Sequence, residues 1–553
     1  MSKATWIKVS GSFAILAGLA GCGGGGATSE PASTRLLASA TTLSAPAFGV
    51  TASGGYLTVS SGANLVFKVN QSNGDITSIT YNGGSELQSQ SKGSHIASGL
   101  GASVAYTVSG GVAKITLTTA TLVHYLLVRQ NEDTIYMGTY VTAEPSVGEL
   151  RWITRLNGSV FTGVPVESNL RGNDGNVEST DVFHMPDGTT RSKYYGNQRA
   201  MDLAVRGVTG SGVGAYMAYG SRESASGGPF FRDIQNQSGT DTEVYNYMNS
   251  GHNQTEAWRM GFHGPYALIF NNGSSTPAAP DMSWMGSYSL SGWVAPSGRG
   301  KVVLNGLSGM NASYTYTAAF ANTSAQYWAK TNTSGGMSLP NMKPGSYTMT
   351  VYKNELGVYS ESVTVSAGGT TTLNTRTITD DPSASTAVWR IGDWDGTPLE
   401  LLNGQTINIR HPSDVRNPSW GPVTYAVGSA NNKFPGAQWK TSANNPTTVT
   451  FSLTSGQVAA HTIRIGITAA YAGGRPQITV NGWTSSAPAA STQPDSRSLT
   501  IGTYRGNNTL YTYAVPASAF VTGANTLTIN AISGSSGTGF LSPGYAYDAV
   551  DML

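Results

Sequence analysis

The chain has one cysteine in 553 residues, Cys22, so no disulfide framework can hold it together. Charge is also scarce. Asp, Glu, Lys and Arg make up 11% of the residues, against about 25% in ordinary soluble domains. A formal charge of +2, with no Lys/Arg run or stripe, gives no case for nucleic acid as a partner. An acidic substrate would have to be met by local cations. Histidine occurs only at His95, His124, His184, His252, His263, His411 and His461, and no pair has HxxxH or HExxH spacing. With no second thiol to assist, zinc chemistry is not expected. The absence of a GxSxG elbow removes the simplest esterase reading. Nowhere is there a long apolar stripe with helical period, so helices are not expected to build the core.

Gly, Ser, Thr, Asn and Tyr fill the space that charge leaves, which suits an exported all-β protein. The N-terminus reads as an address. Lys3 and Lys8 precede a mostly apolar run from Val9 to Leu19, which ends in Leu19-Ala20-Gly21-Cys22. The run is too short to span a bilayer comfortably and closes on small residues, as signal peptides do. LAGC resembles a bacterial lipobox, which makes Cys22 the expected lipidation site; an ordinary secretory signal with a chance cysteine is the plainer alternative. Gly23 follows where an Asp would resemble an inner-membrane retention signal, so the outer membrane or cell surface is expected in a Gram-negative host. Residues 1–22 are thus taken as signal and lipobox, and 23–46 as a flexible Gly/Ser/Ala-rich linker.

From Phe48 onward the apolar pattern has period two, as in KITLTT from Lys114 and TIYMGTYV from Thr134. An all-β chain in three modules follows: 47–289, 290–379 and 387–553. In the second, MKPGSYTMTVY and YSESVTVSAGGTTTL read as adjacent strands of a fibronectin-III-like sandwich. In the third, YAYDAVDML reads as the closing strand of a jelly roll.

Three stretches concentrate candidate chemistry. GELRWITRL places Arg151 and Arg155 four apart, on one face of a strand. VYNYMNSGH brings Tyr245 and Tyr247 onto one face just before His252, and TRSKYYGNQR adds Arg191, Lys193 and Arg199. Cations with tyrosines able to stack on sugar rings suit an anionic sugar. Taken singly, each has a blander explanation: a loop lysine is usually solvated, a lone histidine structural, and paired arginines on a sheet face solvated charge. A hydrolase would need two flanking carboxylates. Asp181, Asp187, Asp233 and Glu256 are available, but their spacing singles out no pair.

The same stretches resemble polysaccharide lyase family 4, the rhamnogalacturonan lyases. The likeness begins at AFGVTASGGYLTV and continues through GELRWITRL, TRSKYYGNQR, GGPFFRD and YMNSGHNQTEAWRMGFHGPY. It then runs through MKPGSYTMTVY, GDWDGTPL, AGGRPQ and NAISGSSG to the C-terminus, in unbroken order. It implies a galactose-mutarotase-like catalytic β-sandwich, a fibronectin-III-like domain and a jelly-roll carbohydrate-binding-like domain. Carried over by motif, it implies Lys193 and His252 as catalytic residues, and Arg151, Arg155, Tyr245 and Tyr247 as substrate-binding ones. Departures fall mainly between Asn157 and Asp187 and between Asn197 and Met217.

The activity implied is endo-cleavage of rhamnogalacturonan I by β-elimination. Lys193 is expected as base and His252 as acid, with the reverse assignment also chemically reasonable. A lysine base must first shed its proton, from a reference pKa of about 10.4, and crowding by arginines is what would promote this. No catalytic cofactor is expected; the resemblance implies a structural calcium in the C-terminal module, near Asp548. That module is expected to bind polymer or hold the domains together without supplying a catalytic residue. The remaining expectations are a monomer, pectic polysaccharide as partner and a lipid-anchored envelope location. The competing readings are a non-catalytic surface glycan-binding lipoprotein and a lyase for another polyuronate.

Overall fold

The computed structural model describes residues 46–553, apart from 146, 147, 253, 419, 442, 495 and 496. The signal, Cys22 and nearly all of the linker lie outside the described residues. Period-two patterning has produced strands throughout, with one four-residue α-helix, Ser498–Ile501, among the described residues. No helix among them is long and apolar enough to cross a membrane.

A seven-stranded antiparallel sheet dominates the N-terminal part. Its order is Val205–Gly210, Val213–Ala218, Gly261–Asn271, Thr134–Val141, Leu122–Arg129, Val112–Thr118 and Ser103–Ser109. Thr134–Val141 departs from simple alternation, with both faces buried. It is central in the sheet: Ile135 and Met137 enter the main core, while Tyr136 enters a second cluster on the other face. A four-strand meander over residues 49–81 shares the main core.

The sheet that carries the site has the order Asn236–Ser238, Thr242–Asn249, Leu150–Leu156, His95–Ile96. Strand alternation divides its labour. Leu150, Trp152, Leu156, Val244 and Met248 point into the main core, whereas Ile153, Tyr245 and Tyr247 join a separate cluster with Tyr194, Tyr195 and Ile501. The outer face is therefore the one from which a site can be built.

In the middle of the chain a four-stranded sheet pairs Gly345–Lys353 with Leu356–Val365, the two strands expected to be neighbours. It packs with the Met337–Met342, Gly300–Leu304 and Thr370–Leu373 strands around a core of its own. The C-terminal part has two five-stranded sheets around a third core. Its closing strand, Gly544–Met552, lies between Trp389–Gly392 and His461–Tyr471 rather than at an edge. The described residues all belong to one compact unit.

Candidate active site

Strand register sets the first part of the site. Arg151 faces Tyr247 across the Leu150–Leu156 and Thr242–Asn249 pair, Ile153 faces Tyr245, and Arg155 faces Glu243. The Arg151 guanidinium donates to the Tyr247 hydroxyl, lies 5.3 Å from its ring centroid, and is ion-paired with Glu149. Just past the end of the tyrosine strand, His252 packs edge-on against Tyr194, with ring centroids 5.1 Å apart. Lys193 stands on the turn after the Thr190–Ser192 strand, with its amine 3.0 Å from Asp181. Arg151, Lys193, Tyr247 and His252 line one open cleft of about 420 Å³, together with Glu149 and Asp181.

His252 is held at both ring nitrogens. Nδ1 lies 3.1 Å from buried Asp233, and Nε2 lies 3.2 Å from Glu149. Burial alone would lower its pKa. The charge and hydrogen bond of Asp233, with Glu149 behind them, outweigh burial and raise it above the ordinary 6.5. The same contact lowers Asp233 against its own desolvation. The arrangement favours an imidazolium whose Nε2 proton points into the cleft.

Two expected site residues stand elsewhere, and Glu243 accounts for both. Arg155 shares a strand face with Arg151, as its spacing requires, but it does not line the cleft. Its Nε donates to Glu243 at 3.1 Å, and one terminal nitrogen reaches the Gly93 carbonyl at 3.0 Å and His95 at 2.8 Å. Tyr245 gives its hydroxyl to Glu243 as well. It is only 6% exposed and Tyr247 only 3%, so neither offers a ring face to a sugar. Tyr247 can present its hydroxyl edge beside Arg151, and Tyr245 stacks beside Tyr247 at 5.8 Å between centroids. Arg191 and Arg199 are not in the cleft lining either; Arg199 pairs with Asp202 at 2.6 Å.

The C-terminal part supplies some of the cleft wall, through Tyr471, Arg497 and Ile501. It also braces the turn that carries Lys193. Thr190 donates to Asp414 from its backbone N–H (2.7 Å) and its hydroxyl (2.9 Å). Tyr195 donates to the Thr500 carbonyl at 2.7 Å, and the Gly196 N–H to Asn408 at 2.9 Å. Gly502 caps the short helix at φ +119°, where a Cβ would meet the Tyr194 carbonyl at 2.6 Å. Only glycine fits that approach. Buried Glu178 accepts from Arg497 (2.9 Å), Thr500 (3.0 Å) and His411 (3.3 Å), all from the C-terminal part. The expectation that this part supplies no catalytic group is compatible with these contacts, but its part in the site is larger than polymer retention.

Asp548, near which a calcium was expected, is buried. Its carboxylate accepts the backbone N–H groups of Asp395 (3.1 Å) and Gly396 (2.7 Å). Burial pushes it well above the usual carboxylate range, and nearby Asp395, itself pushed up to about 6 by burial, adds to the effect. Among the described residues no group of three or more His, Cys, Asp or Glu side chains is gathered to hold a metal.

Comparison with known proteins gives the family of the chain. Residues 48–292 match the family model for the N-terminal part of rhamnogalacturonan lyase B. Residues 286–373 and 387–552 match those for domains II and III of polysaccharide lyase family 4. The chain belongs to polysaccharide lyase family 4. Rhamnogalacturonate lyase A of Aspergillus aculeatus is 45% identical over 514 residues, covering 92% of this chain and 96% of its own length. A probable rhamnogalacturonate lyase A of Aspergillus terreus is 46% identical over 506 residues, covering 90% and 94%. Rhamnogalacturonate lyase A of Emericella nidulans is 44% identical over 514 residues, covering 92% and 96%. The chain is a polysaccharide lyase, all-β, with the fibronectin-III-like and carbohydrate-binding-like domains of its family.

Of the residues around this lyase's cleft, Glu149, Asp181 and Asp233 were not singled out as partners of the basic groups by sequence reasoning. Glu149 had a signal, since it lies two residues before Arg151. Asp233 had none: 19 positions separate it from the histidine it orients.

Proposed function

We propose that the chain is an endo-acting rhamnogalacturonan lyase, cleaving the rhamnose–galacturonic acid α-1,4 linkage of rhamnogalacturonan I by β-elimination. The observation that carries this reading is the convergence of Lys193, His252 and Arg151 on one open cleft, in a chain of this family. Relatives named rhamnogalacturonate lyase over nearly their whole length supply the substrate class.

The galacturonate carboxylate is read as taking the place of the Glu149 carboxylate at Arg151, bringing C5 toward Lys193 and O4 toward His252. Neutralising that carboxylate acidifies the C5 hydrogen, and Arg151 stabilises the charge that develops on it. Lys193 Nζ removes the C5 proton. The C–H electron pair forms the C4–C5 double bond, the C4–O4 bond breaks, and His252 Nε2 protonates the departing oxygen. Asp233 at Nδ1 fixes the tautomer that makes this donation possible. The raised pKa of His252 supports the acid role for the histidine and leaves the base role to Lys193.

Export and anchoring belong to the same reading. The LAGC motif supports lipidation at Cys22 after signal removal, with residues 23–46 as tether, in a monomer facing pectic polymer outside the cell. The test of substrate is a parallel assay on rhamnogalacturonan I, homogalacturonan and alginate, following the ultraviolet absorbance of the unsaturated product. Absorbance should rise on rhamnogalacturonan alone. A faster rise on either of the others would overturn the substrate assignment, and silence on all three with folded protein would overturn the activity.

A further inference from the structure

Away from the cleft, two adjoining hollows lie where the Gln326–Lys330 strand of the middle domain meets the N-terminal sandwich. One has a volume of about 390 Å³ and the other about 230 Å³. Gln326, Tyr327 and Trp328 line both, so Trp328 stands on the ridge between them, and neither hollow shares a lining residue with the cleft. Trp328 is half-buried, and its indole N–H has no acceptor among the described residues. A partly exposed tryptophan with a free donor, set in a hollow of mixed apolar and polar lining, suits a sugar ring.

The charges around the ridge are unevenly satisfied. Asp202 is paired with Arg199 at 2.6 Å and Lys330 at 3.3 Å. Glu223 is paired with Arg299 at 2.5 Å and Lys343 at 2.8 Å, and Glu256 with Arg259 at 2.6 Å. Two arginines are left over. Arg222 lines the larger hollow and Arg505 the smaller, and neither has a carboxylate within ion-pair reach among the described residues. Arg222 donates to the Tyr247 carbonyl at 2.8 Å, and its buried Nε has no partner. Among the described residues, the Arg505 side chain donates only to the Thr255 hydroxyl, at 3.4 Å. Burial pushes Arg222 down to about 10 and lowers Arg505 too, a cost that a bound anion would relieve.

We propose that the two hollows form an accessory binding site for a segment of anionic polysaccharide, with uronate carboxylates at Arg222 and Arg505 and a sugar ring laid on Trp328 between them. The order cation, aromatic, cation matches an acidic–neutral–acidic run of sugars. To that extent the inference rests on the substrate reading above, and it makes the middle domain part of how long polymer is held.

The test is affinity electrophoresis of the full chain carrying His252→Ala, which should bind with little turnover during the run. Gels contain rhamnogalacturonan I, its carboxyl-reduced form or neutral galactan. Adding Trp328→Ala or Arg505→Gln should weaken retention by rhamnogalacturonan about tenfold, with Trp328→Tyr recovering most of it. In the otherwise unaltered enzyme, the same substitutions should raise KM on long polymer and leave turnover of a short oligosaccharide unchanged. Retention and polymer kinetics equal to the parent in Arg505→Gln and in folded Trp328→Ala would overturn the site. Equal, Trp328-dependent retention by the carboxyl-reduced polymer or galactan would overturn its anionic occupant. Wild-type product formation with unchanged retention would sink only this inference; failure of the substrate reading shows instead as no unsaturated product from rhamnogalacturonan.

Discussion

At the scale of the residue, Asp233 separates orientation from proton transfer. Lys193→Ala and His252→Ala should each lower kcat by roughly 10²–10⁴-fold with little change in substrate affinity, because both groups act in the transition state. Single-turnover rates beside oligosaccharide binding would check this, and weakened binding with normal turnover in either variant would contradict it. Asp233→Asn keeps the hydrogen bond to Nδ1 but removes the charge that raises the His252 pKa. An acid must be protonated, so activity falls as pH rises through that pKa. Removing Asp233's charge should therefore move this falling limb of kcat to lower pH, measurable as a pH–rate profile. A limb that stays in place would show that His252 is not the titrating acid. The basic residues of the site were legible in their motifs, and shared strand faces were legible in even spacing. What spacing could not show is which partner captures a side chain. Arg155 and Tyr245 point as alternation demands, yet Glu243 holds both, and that carboxylate looked no different from any other strand glutamate.

Among the elements, the short strap from Thr190 to Gly196 matters most, since it carries Lys193 and is tied to the C-terminal domain along its length. Asp414→Ala would leave the buried Thr190 N–H without its acceptor, costing about 1–3 kcal/mol. It should lower the melting temperature and also lower kcat more than it changes KM, because a looser strap misplaces the amine. Lost stability with an unchanged kcat would make the brace purely structural. The strands of this protein were plain in their period, but the strap was not. Its position depends on Asp414, Thr500 and Asn408, more than two hundred residues away in the chain, and a local pattern carries no trace of such a contact. The stretch before it, 157–187, supplies Asp181, which pairs with Lys193, and Glu178, which pairs with Arg497.

On the scale of the whole molecule, the three β domains act as one body in which the cleft is walled from both ends of the chain. A lipid anchor at Cys22, as proposed, can be tested apart from that body. Cys22→Ser should release active enzyme from the membrane fraction, and persistence there after a high-salt wash would contradict lipidation at that residue. The central claim is elimination rather than hydrolysis, and oxygen distinguishes the two. Digestion of rhamnogalacturonan in heavy-oxygen water, read by mass spectrometry at initial rate, should give unsaturated galacturonate ends one water lighter than hydrolytic ones. No label should enter at the cleaved bond. Saturated ends with heavy oxygen incorporated at cleavage would contradict it.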